Sequence, residues 1–183
     1  MGMTLVSDSL PQLRMGFTSF DGLVPPEPVA GYGLRTFRPG DEDPWVEILS
    51  TGRFKAWDRA RLDRMLAGGR APVPLAGIFF ATYEDRPVGT ACTFLHPGER
   101  GDVAELGWVA VHPLHRGHGL ATRVCRAVLG FVREFGHDYA YLVTEDFRLP
   151  ALKTYLRIGF EPELTDPSHA ERWAAVRRAL AAG

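Results

Sequence analysis

At Val111 the chain changes its hydrophobic period, and that change says more about the fold than any other stretch of its 183 residues. Val103 to Val111 reads as a strand. Beyond Pro113, Leu120, Ala121, Val124, Cys125, Val128, Leu129 and Val132 recur on one face of a long helix that ends near Gly136. Between them lies a tight loop, Arg116-Gly117-His118-Gly119. Glycines let a ligand approach the backbone closely. The first N–H groups of the helix lack intrachain partners, and the helix dipole adds positive potential. Such a junction binds phosphate groups, with Arg116 as an added charge-assisted donor.

The rest of the chain supplies a sheet for this junction. Gly77–Tyr83 and Val88–Phe94, joined by Glu84-Asp85-Arg86-Pro87, read as a β-hairpin. Upstream, Gly33–Arg38 is a half-buried strand and Pro39-Gly40-Asp41 a turn. Short helices follow around Trp45–Leu49 and Trp57–Leu66, the second stopped by Gly68-Gly69. Downstream, Tyr139–Thr144 is a buried strand. Pro150 opens a helix with Leu152, Tyr155 and Leu156 as its apolar stripe, and Gly159 stops it before Phe160 resumes extended structure. Ser168-x-x-Glu171 reads as a capping box before a last helix with Trp173, Val176 and Leu180 on one face. The order predicts a mixed α/β sheet with helices on its faces. Residues 1–30, closing in Val24-Pro25-Pro26-Glu27-Pro28, read as an N-terminal extension or linker, residues 31–165 as the domain, and 166–183 as an appended helix.

Composition narrows the function classes. At 45% hydrophobic and 23% charged, the chain is a folded domain and not a disordered one. A net charge of −1 argues against a nucleic-acid partner. Cys92 and Cys125 read as buried free thiols of a reducing compartment, the alternative being a disulfide between them. The first twenty residues lack a charged start followed by an apolar core. The most apolar stretch, Val73–Thr82, is far short of the ~20 residues that span a bilayer. The expectation is a soluble, cytoplasmic protein without membrane contact.

Three loop patterns compete. A dinucleotide fingerprint needs a third glycine where Thr122 stands, and a P-loop needs a lysine that is absent. The third, R-x-x-G-x-A from Arg116 to Ala121 after Val109-Ala110-Val111 and a proline, resembles the central motif of the GCN5-related N-acetyltransferase (GNAT) superfamily. Pro150–Phe160 resembles that family's late motif, with Ala151, then Tyr155 four residues on, then Gly159-Phe160. The likeness covers about residues 32–165. Where the family often has an asparagine three residues before the alanine, this chain has Arg148. The resemblance implies a mixed, mostly antiparallel sheet with helices on both faces and acetyl-CoA as co-substrate. In that family Arg116, Gly117, His118, Gly119, Leu120, Ala121 and Thr122 would hold the pyrophosphate, and Val109, Ala110 and Val111 would flank the pantetheine arm.

Acetyl transfer to an amine requires loss of a proton from the amine, stabilisation of the carbonyl oxygen and protonation of the departing thiolate. By the resemblance Tyr155 is the candidate acid; its plainer reading is a core aromatic. By the same resemblance Glu105, six residues before Val111, is the candidate base; strand parity puts it on the face of Val109 and Val111, and its plainer reading is an ion pair or a strand polar residue. His112, His115 and His118 straddle a turn and do not make a metal site. Arg172, Arg177 and Arg178 read as a solvated helix face. The expected activity is acetyl transfer from acetyl-CoA to a primary amine of a small molecule or peptide, by direct attack in a ternary complex. Alternatives are a non-catalytic acyl-CoA-binding module and an acyltransferase using another acyl-CoA or a hydroxyl acceptor. The acceptor and the oligomeric state, a homodimer included, stay open.

Overall fold

Strands that are apolar on both sides need cover on both sides, and the central hairpin here is of that kind. A computed structural model describes residues 10–51, 57–68, 71–98 and 101–182; the first nine residues of the expected extension and the Gly69 helix stop lie outside them. In chain order the elements are β1 (Leu13–Phe17), β2 (Tyr32–Thr36), α1 (Glu42–Ser50), α2 (Arg59–Leu66), β3 (Ile78–Tyr83), β4 (Arg86–His96), β5 (Val103–Val111), α3 (Leu120–Glu134), β6 (Ala140–Thr144), α4 (Leu149–Ile158), β7 (Glu161–Glu163) and α5 (His169–Ala181). The strands form one mixed sheet ordered β2-β3-β4-β5-β6-β1-β7. Among the described residues only the β5–β6 pair is parallel.

Two cores result. On one face Ala104, Leu106 and Leu142 pack with the stripe of α3 (Leu120, Val124, Cys125, Val128, Leu129, Val132), with Leu152 and Tyr155 of α4 and with Trp173 and Val176 of α5. On the other, Ile78, Phe80 and Cys92 pack with Trp45 and Leu49 of α1 and Leu62 of α2. The two free cysteines therefore belong to opposite faces. Asp58 caps α2 through the Arg61 amide at 2.7 Å. No helix among the described residues is long and apolar enough to cross a membrane.

The structure corrects the linker expectation for residues 10–30. Leu13–Phe17 is a strand between β6 and β7, paired with both. Its Leu13, Met15 and Phe17 are buried against Phe160 and the α3 core, and Phe20 packs edge-on to Phe17. The alternation Leu-Arg-Met-Gly-Phe carried the signal, but five residues among Ser, Gly and Pro sustain no period. The connection back to β2 lies along α3. Arg133 donates to the Phe20 carbonyl and Arg123 to the Tyr32 carbonyl, and Arg126 faces Glu27.

Two further corrections concern the C-terminus. Ser168 does not form a capping box: it stands in helical conformation with no side-chain cap, and its amide and hydroxyl both donate to Asp166 Oδ1. Nor is Arg172 part of a solvated face. It donates to Asp146 at 2.9 Å and to the Pro11 carbonyl at 2.6 Å, tying α5 to the β6–α4 loop and the N-terminal segment.

Candidate active site

A parallel pair of strands that stays zipped leaves no room between them; this one parts early. β5 and β6 pair only at Ala104–Ala140 and Glu105–Tyr141. Beyond those pairs a cavity of about 400 Å³ opens between β5, the loop after it, the first turn of α3 and one side of α4 along its length. Its wall contains Val109, Ala110, Val111, Arg116, Gly117, Gly119, Leu120, Ala121, Thr122 and Tyr155. The fold thus brings together ten of the twelve candidate residues.

Backbone geometry explains what this cavity offers. The His112 amide donates to the Val88 carbonyl at 2.8 Å, across to β4. Strand alternation then turns the Val111 amide to the opposite, opened side. The loop ends at Gly119, the N-cap of α3, which stands at φ +73° and has no side chain to satisfy the first helical amides. Gly117 stands at φ +83°. Left-handed backbone at both positions turns the loop tightly enough to bare those amides, and few residues other than glycine adopt it without strain. Arg116 donates from Nε to the Val111 carbonyl at 3.1 Å, which fixes its guanidinium at the cavity wall. Bare amides, a helix N-terminus and an arginine fit a pyrophosphate.

Tyr155 is 6% exposed and reaches the cavity from α4. Burial pushes its phenol well above the ordinary tyrosine range; buried Cys125 adds to this, and the charge of Arg148 opposes it. The phenol therefore keeps its proton throughout the neutral range. Arg148 itself is the N-cap of α4, its carbonyl accepting from the Ala151 and Leu152 amides.

Two candidates stand elsewhere. His118 is not on the cavity wall; its ring packs 5.3 Å from that of Tyr32 and its Nδ1 lies 3.3 Å from the His115 carbonyl. Glu105 is off the wall too, and the parity argument fails for a definite reason. Between β4 and β5 the register shifts, Cys92 facing Gly107 but Thr90 facing Ala110, and Trp108 adopts φ +50° within this bulge. One extra residue reverses the sides. Val109 and Val111 stay with the α3 core that holds Ala104 and Leu106, while Trp108 and Ala110 pack with the α1–α2 core. Glu105 therefore shares a face with Ala110, not with Val109 and Val111.

On that face Glu105 is well engaged. Its Oε2 lies 2.5 Å from His96 Nε2 and accepts from the Tyr141 hydroxyl at 3.2 Å. Burial, then the neighbouring Glu105 charge, pushes the Tyr141 phenol up to about 12. The Arg14 guanidinium of β1 stacks 3.7 Å over the Tyr141 ring and also binds Glu163 and the Tyr139 hydroxyl.

The sequence reading missed His115, Pro150, Ala151, Thr154 and Arg157 on the cavity wall. Helical spacing could have found the last four, since they recur three and four apart around Tyr155 on α4. His115 lies beside Tyr32, its Nδ1 3.1 Å from the phenol oxygen. Desolvation and its histidine neighbours hold it below the ordinary histidine range. Among the described residues no cluster of histidine, cysteine and carboxylate side chains could hold a metal ion.

Comparison with known proteins converges on this region. The Acetyltransferase (GNAT) family model matches residues 42–160, from the start of α1 to Phe160 just after α4. Mycothiol acetyltransferases are similar in sequence: that of Rhodococcus opacus (strain B4) is 32% identical over 76% of this chain and 49% of its own length, and that of Rhodococcus jostii (strain RHA1) 33% over 81% and 50%. The chain spans about half the length of these relatives. In fold it is similar to a GCN5-related N-acetyltransferase from Sphaerobacter thermophilus, with TM-score 0.67 and 24% identity over 84% of this chain and 50% of that one. It is also similar to a chain of the NatC complex bound to Gag peptide and CoA, with TM-score 0.62 and 16% identity over 71% and 84%.

Proposed function

Because the chain belongs to the GNAT acetyltransferase family, we propose that it moves an acetyl group from acetyl-CoA to a primary amine by direct attack in a ternary complex. One observation carries the reading: the cavity where β5 and β6 part has the bare α3 N-terminus at one end and the Tyr155 side chain in its wall. When bound, acetyl-CoA supplies an activated acetyl thioester. The loop amides, the α3 N-terminus and Arg116 hold the pyrophosphate. The Val111 amide, turned away from β4, donates to a carbonyl oxygen. Tyr155 holds its proton until a thiolate needs it.

Glu105 is the base in this reading, and it acts at a distance. Strands rise about 3.3 Å per ladder step, and the bulge at Trp108 takes up one residue, so Glu105 lies roughly 10 Å along β5 from Val109 and the amine proton reaches it through water. The relatives' name makes the acceptor of mycothiol acetyltransferases one member of the panel to test. Thiol release from acetyl-CoA, followed with a panel of amines, tests the activity, and calorimetry with CoA tests the cavity. Binding without amine-dependent release would favour a non-catalytic module. No binding would remove the reading altogether.

A further inference from the structure

The pair formed by Glu105 and His96 is closer than an ordinary surface contact and is built by three strands. His96 ends β4, Glu105 lies near the start of β5, and Tyr141 is the cross-strand partner of Glu105 on β6. His96 Nε2 and the Tyr141 hydroxyl both meet the same oxygen, Oε2. Behind Tyr141, Arg14 of β1 covers the ring. The His96 side chain is 34% exposed and that of Glu105 19%, so the imidazole is the wetter partner. Among the described residues, the charged and titratable groups around the pair are Tyr141, which keeps its proton, Arg14, whose charge is shared with Glu163, and the Cys92 thiol of β4, which burial and the Glu105 charge push up.

We propose that the base of the acetyl transfer is the Glu105–His96 pair, with His96 Nδ1 as the atom that holds the transferred proton; this rests on the amine-acetylation reading above. At 2.5 Å the pair must hold one proton between Oε2 and Nε2, because two bare acceptors would repel. That leaves Nδ1 and Oε1 as sites for a second proton. With Nε2 committed to Oε2 and the imidazole the wetter partner, Nδ1 is the open basic nitrogen of the pair and takes the second proton. The step balances. An N–H bond of the substrate ammonium breaks, its electron pair stays on nitrogen for attack, and the proton passes through water to form an Nδ1–H bond. The imidazolium, held beside the carboxylate, then loses that proton to bulk water. Tyr141 takes no proton and fixes the carboxylate by its one hydrogen bond. His96 acts through water, as a proton-holding residue that Glu105 keeps in place.

The test compares wild type, Glu105→Gln, His96→Gln and His96→Ala in the thiol-release assay with an accepted amine. Glutamine at position 96 keeps an N–H donor toward Glu105 but has no basic nitrogen. Both His96 variants are expected to lose kcat on the order of tenfold or more, with KM for acetyl-CoA unchanged. Imidazole added to the buffer is expected to restore turnover of His96→Ala and not of Glu105→Gln. Wild-type kcat in His96→Gln would make His96 a structural prop and overturn the proposal, as would His96→Ala turnover that is indifferent to imidazole. Absence of amine-dependent thiol release in the wild type would instead overturn the acetylation reading and this proposal with it.

Discussion

Tyr155 and Glu105 differ in what a one-atom change can reveal. Tyr155→Phe deletes a hydroxyl that faces the cavity and leaves the ring in the α3–α4 core, so packing is kept. If the phenol protonates a thiolate, turnover should fall on the order of 10²-fold while CoA affinity and Tm hold. A fall in Tm with unchanged turnover per folded molecule would return Tyr155 to the core. Glu105→Gln should lower the rate most at low pH, where an acceptor amine with pKa about 10 is almost wholly protonated. As pH rises the amine sheds its own proton and the defect should shrink. An equal defect at every pH would assign Glu105 a structural role.

At the scale of elements, two junctions do separate work. Gly119 stands at φ +73° and a Cβ there meets nothing within 4 Å, so the β-carbon of Gly119→Val has room. It does strain left-handed backbone by roughly 1–2 kcal/mol and fills the approach to the α3 amides. CoA binding by calorimetry should be lost with only a modest drop in Tm; retained affinity would remove the phosphate-loop reading. The β2–α1 junction rests on Asp41, which accepts from Arg35 at 2.6 and 2.8 Å and from the Arg38 amide at 2.7 Å. Burial alone would raise its pKa, but Arg35, the Arg38 amide and both charges bring it below the usual carboxylate range. A depressed folded pKa gives stability that is present above the unfolded value near 4 and lost as pH falls through the folded one. Asp41→Asn should therefore cost about 3 kcal/mol at pH 7, and the gap to wild type in denaturant melts should close below about pH 4.

For the whole molecule, the decisive element is the strand read as a linker. Leu13, Met15 and Phe17 are buried in the larger core, and β1 fills the place between β6 and β7. Burying three such side chains contributes roughly 5–9 kcal/mol, comparable to the ~5–15 kcal/mol net stability of a domain. It also bares the edge of β6 if removed. A chain starting at residue 19 should lose its cooperative melt by circular dichroism. A truncated chain with wild-type Tm would show the strand to be dispensable. The family match begins at residue 42, so this strand, with the Arg14 it places on Tyr141, is supplied from outside the matched region.

What the sequence determined by itself was local. The 3.6-residue stripe of α3, the hairpin of β3 and β4, the glycine loop and the Ala151–Tyr155–Phe160 spacing each lie within one element and its caps, where backbone sterics and amphipathicity are written residue by residue. The mixed sheet and the membership of the acetyltransferase family were legible from those pieces in order. Tertiary structure decided the rest. A five-residue strand has too few alternations to announce itself, and its place depends on an unpaired edge far along the chain. The side on which Glu105 stands depends on a bulge at Trp108, which no alternation can foresee because one extra residue reverses every side chain beyond it. The meeting of His96, Glu105, Tyr141 and Arg14 needs four strands in register, and register across distant strands is set by the packed core and not by any one segment.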